Sequence, residues 1–220
     1  MQYDTAENWE GRCYASRSAC NGVFAGGYRS RSGGKADLQI GAVAKVVNSV
    51  YGAPESTGQS QWLRPGVDVF KNEMIVTAEN SASRVVFRDK TQLAIGAIAQ
   101  VKLDQFVYDP NPSASVVAIS FVKGAFRFTS GILPKENYVI QTPAAKIAVR
   151  GTVFTVSILP SGSEYISVES GTIYVTCHQG VTKTVNAGQM VYIASPQGSP
   201  TDPRPSTPVP EITQMDTLLR

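Results

Sequence analysis

An all-β body is what this chain of 220 residues predicts, and three features predict it. Apolar residues recur at alternate positions in one short segment after another, the period of a half-buried strand. No helical period of any length precedes residue 210, although roughly a third of an average globular protein is helix. Glycine stands directly before four apolar strands of the second half, at Gly124, Gly151, Gly171 and Gly188. The spacing of these glycines is uneven. It predicts an irregular β-solenoid or a β-sandwich of short stacked strands, not a solenoid of fixed period.

Residues 1–39 are rich in Gly, Ser, Arg and Asn and read as an irregular, flexible arm. The all-β domain spans residues 40–194. Ile40 opens its first strand, through Ala42, Ala44 and Val46-Val47. Asn48 to Pro54 reads as punctuation, Glu55 to Gln61 as a polar loop, and Arg64-Pro65-Gly66 as a tight turn before Val67 to Phe70. Met74 to Thr77, Ser83 to Arg88, Leu93 with Ile95, and Ala99 to Leu103 follow as short strands, with a hairpin-type turn at Asp89-Lys90. Beyond the loop at Asp109-Pro110-Asn111-Pro112, eight strands are expected: Val116 to Phe121, Ala125 to Thr129, Tyr138 to Gln141, Lys146 to Ile158, Tyr165 to Val168, Thr172 to Cys177, Val181 to Val185, and Gln189 to Ile193. Residues 195–220 hold six prolines between Pro196 and Pro210 and predict an extended linker, because proline removes a backbone donor and fixes φ. A short terminal helix over Glu211 to Arg220 would place Ile212, Met215, Leu218 and Leu219 on one face.

Composition narrows the function. Hydrophobic residues make up 42% and charged residues 17%, with a net charge of +3. The basic residues are scattered and have no aromatic platform beside them, which argues against nucleic acid as a partner. No run of about 18 apolar residues is present, so no transmembrane helix is legible. No secretory leader is legible in Met1 to Asp37 either. Three cysteines leave at least one thiol unpaired in a monomer. Cys13 and Cys20 either close a short loop in an oxidising compartment or stay free. Cys177 falls on an apolar parity and reads as a small buried hydrophobe.

The most informative block runs from Ile140 to Thr152. Ile147, Val149 and Val153 lie on one parity, but Phe154, Val156 and Ile158 lie on the other. A strand has a period of two, so the switch demands a bulge or corner at Arg150-Gly151-Thr152. Arg150 at that corner either satisfies carbonyls freed by the bulge or offers its guanidinium fork to a ligand. Thr152 is the companion contact.

Little else points to chemistry. His178 is the single histidine, and it follows Cys177 into a turn, where the two side chains point to opposite faces. No C-x-x-C or H-x-x-x-H spacing suggests zinc, and no cofactor motif is legible. Asp104 and Asp109 are candidates for a calcium site or an acid–base pair, with turn formation at Asp109-Pro110 the simpler reading. Tyr108, Phe126 and Phe128 form either an exposed aromatic patch or part of the core. Arg127, between two phenylalanines, is expected to be solvated.

Thr142-Pro143 followed by Ile147-Ala148-Val149-Arg150-Gly151-Thr152 resembles the signature of the FecR domain. Asp104 to Pro110, Lys123 to Gly131 and Thr91 to Gly96 agree with it, in order, from about Ile40 to about Ala194. The resemblance implies an all-β extracytoplasmic domain used in signalling or binding, and not an enzyme. It is to the stand-alone type, without an anti-sigma segment or membrane helix. The expected partner is a protein or glycan of the cell envelope, in the periplasm or outside the cell, met through Arg150, Thr152, Asp104, Tyr108 and Asp109. The alternatives are a structural component that stacks through its sheet edges, and a hydrolase that uses Asp104 and Asp109.

Overall fold

The computed structural model describes residues 38–55, 57–107, 116–133 and 138–220. The N-terminal arm, with Cys13 and Cys20, lies outside the described residues. So do Tyr108 and Asp109. Fifteen strands run in order: β1 Gln39–Val47, β2 Val50–Ala53, β3 Gln61–Trp62, β4 Asp68–Phe70, β5 Glu73–Thr77, β6 Ala82–Phe87, β7 Gln92–Ile95 and β8 Gln100–Val107. Then come β9 Val116–Thr129, β10 Tyr138–Gln141, β11 Ala145–Ile158, β12 Glu164–Cys177, β13 Thr182–Asn186, β14 Gln189–Ile193 and β15 Arg204–Pro205. One helix, α1 Pro210–Leu218, closes the described chain.

The expected all-β class is what forms. The strands make one open mixed sheet, antiparallel except where β10 runs parallel to β9. Three strands are long, and each serves two neighbourhoods. The first half of β9 pairs with β8 and β10, and its second half pairs with β7 and β11. The first half of β11 pairs with β10 and its second half with β9, while β12 follows β11 throughout. The sheet thereby folds over a single apolar core. Phe121 and Phe126 lie on either side of the bend in β9, and their rings stack with centroids 4.2 Å apart. Phe128 meets Tyr138 of β10 edge-on at 5.7 Å.

Each long strand changes parity where it bends. Buried residues in β9 pass from Val117, Ile119 and Phe121 to Phe126 and Phe128. In β11 they pass from Ile147 and Val149 to Phe154, Val156 and Ile158, and in β12 from Ile166 and Val168 to Ile173 and Val175. The residues at each switch include a left-handed glycine: Gly124 (φ 99°), Gly151 (φ 64°) and Gly171 (φ 80°). A side chain at Gly171 would collide with the Gly151 carbonyl oxygen. The two corners of β11 and β12 can therefore nest only without a Cβ. Four of the strands expected from sequence are in fact halves of β9 and β12. Their glycines are hinges inside continuous strands, because the ladder resumes on the far side with the other face inward.

The sequence reading also missed β2 and β3, taking Asn48 to Gln61 as punctuation and loop. Gly52 lies inside β2 because the buried Glu73 carboxylate occupies the space its side chain would need. The C-terminal segment is not a free linker. Met190 of β14 pairs with Arg204 of β15, and α1 lies across the outer face of the sheet. Met215, fully buried, enters a trough floored by Ala82, Ala94 and Ala125, with Gly96 close enough that a Cβ there would sit 3.2 Å from that of Met215. Ile212 and Leu219 are buried beside it. Arg127, expected to be solvated, pairs with Asp216 of the helix (Nη2 to Oδ2, 2.9 Å) and with Glu169 (2.7 Å). It faces away from the core, as strand alternation requires, but the helix covers it.

Three left-handed hinges and one helix seat make separable demands. Gly151→Ala forces a side chain into a left-handed backbone and should lower stability by about 1–2 kcal/mol. Gly171→Ala should cost more, because it adds the collision with Gly151. Chemical denaturation measures both, and equal stability of the two variants would contradict the nested corner. Met215→Ala should cost about 2–5 kcal/mol, with amide exchange accelerating first in residues 206–220.

Candidate functional site

The polar groups that sequence reading overlooked are buried and hydrogen-bonded inside the fold. Three carboxylates among the described residues are fully buried: Glu73, Asp89 and Glu164. Each shares a parity with apolar neighbours, Glu73 with Ile75, Asp89 with Val85 and Phe87, and Glu164 with Ile166 and Val168. That was the legible signal. An acid on the inward face of a strand must find donors inside.

Each acid holds a turn. Glu73 accepts a hydrogen bond from the Phe70 N–H at 2.7 Å. Asp89 accepts from the Thr91 N–H (3.0 Å), the Thr91 hydroxyl (2.5 Å) and the Tyr138 phenol (2.7 Å). The Tyr138 oxygen in turn accepts from the Leu133 N–H at 3.2 Å. Burial, helped by the Asp89 charge, pushes the Tyr138 phenol up to about 12, so it remains a donor. Glu164 accepts from the Thr142 hydroxyl at 2.7 Å and the Ala144 N–H at 2.9 Å. Burial raises the Glu164 carboxyl above its ordinary value, opposed by these two donors and by the nearby His178. Thr142 also ties its own turn, donating to and accepting from the Ala145 backbone. The Thr142-Pro143 signature is thus a polar rivet between the β10–β11 turn and the start of β12.

The expected contact residues separate. Arg150 is exposed on the outer face of β11, opposite Thr172 of β12, and it has no ion pair among the described residues. The bulge turns it outward instead of burying it. Thr152, expected beside it as a contact, is turned inward by the same bulge and is 2% exposed. Its N–H donates to the Ser130 hydroxyl at 3.0 Å, and its own hydroxyl has no partner among the described residues. Asp104 is half-buried, accepts from the Ser120 hydroxyl and lies 3.6 Å from Lys102. Phe126 and Phe128 are core.

Beside the Thr142 turn lies an open depression of about 380 Å³, lined by Gln141, Lys146, Thr176 and His178 among others. It brings Cys177 and His178 near each other but not together. Cys177 faces the interior, while the exposed His178 places Nε2 2.9 Å from the Pro143 carbonyl oxygen. Among the described residues no group of three or more His, Cys, Asp or Glu side chains is arranged to hold a metal ion. No helix among them is long and apolar enough to cross a membrane.

These features define an all-β domain whose acids and hydroxyls are tied into turns and whose long strands bend at glycine corners. Residues 73–181 match the family described as FecR protein, so this stretch of the chain is a FecR domain. The match begins at the buried Glu73 and ends past the β12–β13 turn, so it contains all three carboxylates and all three hinges. Among solved structures, the chain is similar to a protein of Parabacteroides distasonis assigned as an anti-sigma factor. The TM-score is 0.50 at 15% identity, over 60% of this chain and 59% of that one. A second crystal structure of that assignment and organism gives 0.49 at 14% identity over the same shares. The chain spans less than two thirds of these neighbours' length, and at such identity the likeness shows the fold alone. No curated protein matches the sequence.

The raised Glu164 carboxyl has a defined pH signature. Its protonated form is favoured by folding, so its contribution is fully present below the ordinary Glu pKa and is lost as pH rises through the folded value. Glu164→Gln keeps the acceptor without the charge and should gain stability relative to the parent as pH rises from about 4 to about 8. Glu164→Ala strands the Ala144 N–H and should cost about 1–3 kcal/mol. Urea midpoints at the two pH values decide. A glutamine variant that loses ground toward pH 8 contradicts the assignment.

Proposed function

We propose that the chain is a non-enzymatic signalling and binding module of the cell envelope, working in the periplasm or outside the cell with a protein partner. The observation that carries this reading is the contrast between inside and outside. The acids, hydroxyls and histidine that could do chemistry hold turns, while the signature arginine stands free at a corner beside an open sheet edge. Arg150 faces Thr172 across the ladder, and Thr172 faces Asn186 of β13. Four residues back along β11, Lys146, Thr176 and Thr182 form a parallel row. Strand β13 pairs only with β12, so its outer edge presents unpaired backbone groups. Two cations on the same face, two strands in from an open edge, suit an extended acidic segment added as a further strand. Asp104 and its Ser120 contact lie on another strand pair and belong to a secondary contact at most.

The family match supports a regulatory role, and the assignment of the first solved neighbour as an anti-sigma factor points the same way. A second reading has the same edge as its basis: β13 of one copy pairs with a strand of another, which gives a stacked assembly.

A photo-crosslinking residue at the exposed position Thr184 separates the readings. The module reading expects one discrete heterologous adduct in the envelope fraction, reduced at least fivefold by Arg150→Glu, with a monomeric mass by light scattering at all concentrations. Self-adducts with concentration-dependent mass favour assembly. No adduct of either kind would sink both readings.

A further inference from the structure

Away from the β13 edge, the opposite end of the sheet carries an aromatic surface that the fold does not use. Tyr51 of β2 stands opposite Trp62 of the edge strand β3 on one side and Val76 of β5 on the other. The three side chains form an outward row. Trp62 is 55% exposed. One face of its indole leans on Tyr51 with ring centroids 4.2 Å apart, and it presents a broad apolar surface to solvent. A large exposed aromatic at the margin of a sheet is a feature of a binding surface.

The surroundings indicate what would cover it. Trp62 borders a depression of about 380 Å³ completed by Val46, Asn48, Leu63, Arg64 and Pro65. This is within the range of small-ligand sites. Its walls are pinned. The Leu63 N–H donates to the Val50 carbonyl at 2.9 Å, the Gly66 N–H to Val43 at 2.8 Å, and the Val43 N–H to Val67 at 2.9 Å. Asn48 is held by its side-chain bond to the Asn80 carbonyl. Arg64 is exposed and has no ion pair among the described residues. An open ring face, a side-chain amide and an unpaired guanidinium converge on one rigid hollow.

We propose that this hollow binds a carboxylated pyranose unit of a polysaccharide. The C–H-bearing face of a sugar ring stacks on the indole, and Arg64 takes the carboxylate through its fork. A proline-rich peptide fits less well. That mode docks into aromatic-lined grooves, whereas the second ring here is packed against the first and leaves one plate. A neutral sugar would leave the guanidinium without its complement. This site is built around β2 and β3, whereas the edge proposed for the protein partner is β13, so the two are separate.

The test uses the full chain with Trp9→Phe, so that Trp62 is the single tryptophan and is excited selectively at its red edge. It is titrated with oligogalacturonate, with neutral cello-oligosaccharide and with a proline-rich peptide. Saturable quenching by oligogalacturonate is expected, at least tenfold tighter than by the neutral sugar. Arg64→Gln should remove that preference. Trp62→Ala, read by calorimetry, should abolish binding while thermal unfolding stays within a few degrees of the parent. Equal affinity for the neutral sugar, binding of the peptide alone, or no binding would each overturn the proposal. None of these outcomes bears on cross-linking at Thr184.

Discussion

The bending of three long strands at left-handed glycines governs the rest of this structure. A strand that merely curved would keep one set of residues inward from end to end. Here β9, β11 and β12 each reverse that set at Gly124, Gly151 or Gly171. The two halves of each strand then belong to different parts of the sheet while sharing one core. The β9–β11 ladder shows how the corners are distributed. Ile158 faces Gly124 at one end, and Val153 faces Thr129 at the other. The hinge of β9 lies at the first end, and the nested hinges of β11 and β12 lie at the second. The stacking of Phe121 on Phe126 is a direct consequence, since residues five apart in one strand meet only if the strand folds back.

Corners of this kind break ladders and leave backbone groups to be satisfied. At the β11 corner serine hydroxyls answer that need, accepting from the Thr152 and Val153 N–H groups, while the buried acids secure the turns between strands. Asp89 and Tyr138 gather the 89–91 turn and the chain after Ser130, and Glu164 with Thr142 secures the turn that starts β11. Removing one partner from such a network costs more than the net value of its hydrogen bond, because the other groups remain buried. This explains the structural share of a signature rich in Thr, Gly and Arg. Thr142 ties the β10–β11 turn, Gly151 builds the corner, and Arg150 is what the corner displays.

The C-terminal segment adds a second, smaller core on the outside. A trough of Ala82, Ala94, Gly96 and Ala125 has no use in a sheet that faces water. Small residues let the backbone of α1 approach closely, and the Met215 side chain fills the space. Arg127 marks the seat electrostatically through Asp216 and Glu169. At nine residues, α1 is too short to be stable alone, so its order depends on that seat.

Much of this was legible in the chain. Alternation located the strands, the parity slip at Arg150-Gly151-Thr152 located a real bulge, and the spacing of Ile212, Met215, Leu218 and Leu219 located a helix face that is buried except for the half-buried Leu218. The same parity rule could have exposed Glu73, Asp89 and Glu164 as interior acids. Sequence settles such local matters because period and backbone permission belong to each residue and its neighbours. It could not tell a hinge from a strand end at Gly124 and Gly171, since both demand glycine. Nor could it see that Gly52 makes room for a carboxylate from another strand, or that Arg127 lies under a helix 89 residues away. Those outcomes depend on which distant segments share a volume, and only the closed tertiary structure decides that.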